Sequence, residues 1–174
     1  MIFRKLQLWN RNQSGFTLIE MLVTLAITGF IAIGVSVANA QVLDQTSENN
    51  DYTTASRNTL NALHWISKDA QMAQNLEPNG SSGFPLVLSW VEWDNSAHTV
   101  NYSLANGELM RSYYIDGGEP HETLIAEYIN NDAAMTNCAS DNGVLTLTIT
   151  ASVGEGLHTI SVTKVREIAS RPNL

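Results

Sequence analysis

Polar and apolar positions divide the chain sharply. Residues 16–40 are almost all apolar, with Glu20 as the one ionisable group. At about 1.5 Å per residue, a helix of that length crosses a hydrocarbon core of about 30 Å. The pattern inverts after Ala40. The run "DQTSENNDYTT" at 44–54 is polar and holds poor helix formers. Beyond it Leu60, Leu63, Ile66, Ala70, Ala73 and Leu76 recur every three or four positions, the spacing of an amphipathic helix. Asn58, Asn61, Ser67, Lys68, Asp69 and Gln71 fall mostly on the other faces, so Lys68-Asp69 and Arg57 read as solvated. Pro78 and "NGSSG" are stop signals. The pattern predicts one long helix over about 16–77, bent or frayed at 44–54.

The remainder reads as strands. "LVLSWVEW" alternates in part. "HTVNYSL" and "ELMRSYYI" flank "ANG", a hairpin signal with Gly107 supplying the turn. "ETLIAEYI" fits a strand or a short helix, and "DAAMTNCASDNG" fits a loop. "GVLTLTITASV" and "LHTISVTKVREI" alternate clearly around "GEG", a second hairpin. A long helix before five to seven mostly antiparallel strands is an α+β plan, with the helix covering the sheet. Trp90 and Trp93 have opposite parity, so a regular strand puts them on opposite faces. One is then free to meet a neighbouring subunit. Trp65 reads as a core or interface aromatic.

Charge separates along the same line. The first 15 residues hold Arg4, Lys5 and Arg11 and no acid. The rest holds 6 basic residues and all 17 acids, a net −11. That balance gives no support to nucleic-acid binding through phosphate neutralisation. Basic residues before the apolar run and an acidic body after it predict the N-terminus inside and the C-terminal part outside the cell membrane. Cys138 is the single cysteine, so no internal disulfide forms, and the dispersed His64, His98, His121 and His158 give it no catalytic setting. No Walker loop, H-E-x-x-H, C-x-x-C or G-x-S-x-G occurs, and no enzyme activity is expected. Asp116, Glu119 and Glu122 in "YIDGGEPHE" do not have EF-hand spacing, so no cofactor is expected and calcium has no support.

The apolar run fits three kinds of segment. A single-pass anchor is one. A secretory signal peptide cut after Ala40 is another, since Ala38-Asn39-Ala40 has the A-x-A form. The run exceeds the usual h-region of about 7–15 residues and contains a glutamate, both against that reading. The third rests on "SGFTLIEMLVTLAI" at 14–27. This string resembles the type IV prepilin signature, in which a basic leader ends in glycine before Phe-Thr-Leu-Ile-Glu.

The resemblance implies a leader over residues 1–15, a membrane or filament-core helix over 16–40, its amphipathic continuation over 41–77 and a β-rich domain over 78–174. It implies cleavage by a prepilin peptidase between Gly15 and Phe16, N-methylation of Phe16 and assembly through Glu20. Glu20 of one subunit would pair with the new Phe16 amine of a neighbour, an attraction that strengthens at low dielectric. A glutamate snorkelling to the interface is the alternative for a subunit still in the bilayer. Gly29 and Gly34 permit local flexibility or close helix packing. The implied partners are the peptidase, other pilin or pseudopilin subunits, an inner-membrane assembly platform and lipid. The stalk proline of many major pilins is missing. The stretch "LNALHWISKDAQMAQNL" has the Leu…Asp…Ala pattern of the type II secretion J / PilW class. Both features point to a minor pilin or pseudopilin in an inner-membrane and then extracytoplasmic filament.

Overall fold

The computed structural model describes residues 15–79 and 82–171. Most of the expected leader, with Arg4, Lys5, Trp9 and Arg11, lies outside the described residues. Helix α1 runs Leu18–Met72. Within it the chain divides into two compact units, 1–45 and 46–174.

In the first unit every described side chain is exposed. An 18-residue window of α1 has mean hydropathy 2.3. The hydroxyls in this apolar stretch fold back on the helix. Thr24 donates to the Met21 carbonyl, Thr28 to Thr24 and Ser36 to Ala32. These bonds leave the hydroxyls no need of water, as a lipid-facing helix requires. The polar stretch 44–54 remains helical rather than bent or frayed. Thr53 bonds back to the Asn49 carbonyl there.

The second unit is a β-meander. Strands β1 (Asn75–Pro78), β2 (Leu86–Val91), β3 (Ala97–Ala105), β4 (Glu108–Ile115) and β5 (His121–Ala126) form one sheet in that order. Strands β6 (Asn137–Asp141), β7 (Val144–Val153) and β8 (Ile160–Ala169) form the other. All pairings are antiparallel. The sheets meet where Gly83 donates its amide to the Cys138 carbonyl and Ser82 bridges Ala139. Both predicted hairpins form: Asn106-Gly107 turns β3 into β4, and 154–159 turn β7 into β8. At Gly154 φ is +108°, and an added Cβ would overlap the His158 carbonyl.

Three expectations change. The helix stops at Met72 rather than 77. Leu76 pairs with Leu88, and Gln74 donates its amide to the Ser89 carbonyl, so a sheet edge captures the residues that had helical spacing. The 132–143 segment, expected to be a loop, holds a strand, β6, because β7 supplies a full ladder to 137–141. "ETLIAEYI" resolves as a strand over its first part, bringing the strand number to eight.

The α1 face turned to the sheets also differs. Leu63, Ile66, Ala70 and Ala73 are buried as expected, but Leu60 is exposed and Thr59 takes its place. Thr59 bonds to the carbonyls of Ala55 and Val162. Asp69, expected in solvent, is 1% exposed. Arg111 Nε and Nη2 donate to its carboxylate at 2.7 and 3.1 Å, and the Tyr102 hydroxyl donates to Oδ2. Burial and then the Asp69 charge raise the Tyr102 hydroxyl's pKa, keeping it a neutral donor. Arg111 in turn lies 4.9 Å from the Tyr113 ring centroid and 5.4 Å from that of Trp65. Tyr113, His98 and Trp90 continue the stack at 5.7 and 5.3 Å. One carboxylate on α1 thereby anchors β3, β4 and an aromatic row across the sheet.

Candidate functional site

The residues singled out for processing and assembly sit at the start of α1. Gly15 and Phe16 precede the helix and are exposed. Nothing lies within 4 Å of a Cβ added at Gly15. This stretch of the chain is therefore sterically open.

Glu20 is held locally. Its Oε2 accepts from the Thr17 amide at 2.8 Å and from the Thr17 hydroxyl at 2.9 Å. The Thr17 Oγ1 faces the Glu20 amide at 3.3 Å. This is a reciprocal cap in which side chains satisfy amides that the first helical turn leaves unpaired. The negative carboxylate also sits at the positive end of the helix dipole. Glu20 thus has an intramolecular partner in addition to any partner supplied by another subunit. Sequence reasoning assigned no role to Thr17, although Thr17-Leu18-Ile19-Glu20 has the capping-box form.

Phe16, Ile19, Glu20, Val23 and Thr24 line a shallow, mostly apolar groove of about 300 Å³ beside that carboxylate. Phe16 and Leu18 are 85% and 84% exposed. A surface of this kind is stable only against lipid or another apolar surface. Gly29 and Gly34 lie in unbroken helix with no neighbour within 4 Å of an added Cβ. Among the described residues no close approach requires glycine at either position. Ala38-Asn39-Ala40, the rival cleavage pattern, also lies within α1.

The other candidates remain dispersed. No group of three or more His, Cys, Asp or Glu able to hold a metal ion occurs among the described residues. Cys138 is buried on β6, where its Sγ–H donates to the Gly83 carbonyl. Burial raises that thiol to about 12.

Residues 10–36 match the family model described as the prokaryotic N-terminal methylation motif. No curated protein and no solved structure matches the chain. The matched span includes Gly15, Phe16 and Glu20 and runs into the uncovered apolar half of α1. The chain thus carries the N-terminal motif of type IV pilin-like proteins, leading into a helix long and apolar enough to cross a membrane.

Proposed function

We propose that the chain is a minor pilin or pseudopilin of a type IV pilus or type II secretion-like filament. A prepilin peptidase cuts between Gly15 and Phe16, and the new Phe16 amine is methylated. The processed subunit waits in the inner membrane with its N-terminus cytoplasmic and unit 46–174 extracytoplasmic. It then enters the filament through the apolar half of α1, and the folded unit initiates the filament or forms its tip. Its role is structural rather than catalytic.

The observation that carries this reading is the methylation motif opening a helix whose apolar half has no cover among the described residues. The local cap on Glu20 supports a partner exchange. In the isolated subunit Thr17 satisfies the carboxylate, and in a filament the Phe16 amine of a neighbour replaces it. A charged donor then substitutes for neutral ones, which strengthens the bond.

Mass spectrometry of the N-terminus from membranes that contain a prepilin peptidase tests the proposal. The expected terminus is N-methyl-Phe16. A terminus at Gln41, or an intact leader, overturns it.

A further inference from the structure

The β2–β3 turn carries the most exposed aromatic side chain of unit 46–174. Strand β2 ends at Val91, so Trp93 leaves the sheet and is 94% exposed, whereas Trp90 is 5% exposed. The turn that presents Trp93 is closed by its own bonds. Glu92 N–H donates to the Ser96 carbonyl at 3.0 Å and Asn95 N–H to the Glu92 carbonyl at 3.1 Å. Asp94 Oδ1 accepts from the Ser96 amide at 3.0 Å and from its hydroxyl at 2.6 Å. Those same bonds hold the Asp94 carboxyl below its ordinary range, the hydroxyl first and the amide second. Trp93 is thus offered on a preformed support, lowering the ordering cost of docking.

Two further apolar side chains flank Trp93, one on each face of this end of the sheet. Val91 closes the β2–β3 ladder opposite Ala97, and Ile115 ends β4 opposite His98. They are 45% and 49% exposed. Asp116, in the next turn, is tied to the same place, because Ala97 N–H donates to its Oδ1 at 2.8 Å. Beside the turn Gln74, Asn75, Ser89, Trp90 and Thr99 help line a polar cleft of about 440 Å³.

Charge selects the partner. Residues 69–163 contain twelve acids and a single Lys or Arg, Arg111. That one cation is bound to buried Asp69. Glu92, Asp94, Asp116 and Glu119 surround the exposed apolar group at this end of the sheet without a compensating Lys or Arg in either turn. A second copy fits poorly here. Unit 46–174 holds 6 Lys or Arg against 15 Asp or Glu, a net −9, so two copies repel. Anionic lipid and nucleic acid are repelled for the same reason.

We infer that the Val91–Trp93–Ile115 end of the five-stranded sheet is a docking surface for a different protein, one presenting an apolar recess rimmed by Lys and Arg. Trp93 is the anchor. Tryptophan combines a large apolar surface with a face that attracts cations, and such residues dominate interface energies. The acids steer the basic rim and reject like-charged surfaces. The inference uses unit 46–174 alone and does not depend on how the N-terminus is processed.

The test places the photo-crosslinking amino acid p-benzoylphenylalanine at Val91, beside an intact Trp93, in cells that make the full chain. Irradiation is followed by mass spectrometry of the crosslinked peptide. The expected adduct is to one other protein, at a segment rich in Lys or Arg. Reversing Glu92→Lys and Glu119→Lys is expected to lower its yield at least about fivefold while the melting temperature stays unchanged. These two exposed carboxylates accept no side-chain bond that closes the turn, so reversal tests charge rather than folding. No adduct, an adduct to a second copy or to lipid, a segment lacking Lys and Arg, or a yield indifferent to the reversal each overturns the inference. The N-terminal mass assay is read separately, so failure here and failure of the processing model are distinguishable.

Discussion

Asp69→Ala offers a direct test of how α1 is fastened to the sheet. The substitution removes the acceptor of two Arg111 bonds and of the Tyr102 hydroxyl. The Arg111 side chain is only 12% exposed, so its charge cannot rehydrate fully where it stands. Removing one partner of such a buried pair costs about 3–5 kcal/mol. The stranded Tyr102 donor lies in the same network, so its loss of about 1–3 kcal/mol overlaps with that figure rather than adding to it. Arg111 also keeps its contacts with Trp65 and Tyr113, which favours the lower end, about 3 kcal/mol. For a unit spanning residues 46–174, unfolding entropy of about 2 cal/mol/K per residue converts this to a fall of about 11 °C in melting temperature. Near-ultraviolet circular dichroism of the full chain in detergent reports the transition through Trp65 and Trp90. The triple change Asp69→Leu, Arg111→Met and Tyr102→Phe removes charge, counter-charge and orphan donor together. It is expected to recover most of the loss, because well-packed apolar groups replace buried ion pairs at little or no cost. A single-variant shift below about 3 °C, or a triple variant as unstable as the single one, refutes the assignment of this network as the fastening.

Further outcomes are expected. Gly15→Ala should leave an uncut precursor that stays out of filaments, checked by its mass and by shear fractionation; wild-type assembly would reject the processing model. Glu20→Ala should insert normally and assemble poorly, and Thr17→Val should weaken the first helical turn by about 1 kcal/mol while Thr17→Ser retains it, read by amide hydrogen exchange. Cys138 stays protonated in the folded state up to about 12, whereas the unfolded thiol ionises near 9.0. The stability contributed by its buried neutral form is therefore complete below pH 9 and declines as pH rises toward 12, by up to about 1.4 kcal/mol per unit. Cys138→Ala should remove that part of the alkaline slope in denaturant titrations. Gly154→Ala should destabilise the chain by more than about 1 kcal/mol, since φ is positive and the His158 carbonyl fills the space; an unchanged urea midpoint would contradict this.

The parts readable from the sequence are those settled by neighbours along the chain. The methylation motif is contiguous, and the apolar run declares itself by length. The two hairpins follow from Asn106-Gly107 and Gly154–Gly156, where backbone conformation is chosen locally. The features that escaped depend on distant partners. Asp69 looks like a surface acid until Tyr102 and Arg111, 33 and 42 residues away, arrive beside it. Leu76 has helical spacing until Leu88 pairs with it. The β6 segment has weak strand character and becomes a strand because β7 lies next to it. Strand parity predicts one of Trp90 and Trp93 exposed without saying which; Trp93 is the exposed one because the strand ends two residues before it. Thr17 is a different case: its capping signal, Thr17 three residues before Glu20, is local and legible in the sequence.

The meander order bears on how the molecule is made. Each strand of both sheets pairs with its neighbour in sequence, so the ladders close short loops and can form quickly. The ties from α1 reach much further. Thr59 bonds to Val162, and the Ala73 carbonyl accepts from Arg171, near the end of the described chain. The part of α1 in unit 46–174 is made before every strand and therefore waits longest for its final contacts. The Asp69 ties to β3 and β4 can form earlier, but the Thr59 and Ala73 ties stay open until β8 and Arg171 beyond it have been made. The C-terminal strand is thus the last piece to close the cover of the helix.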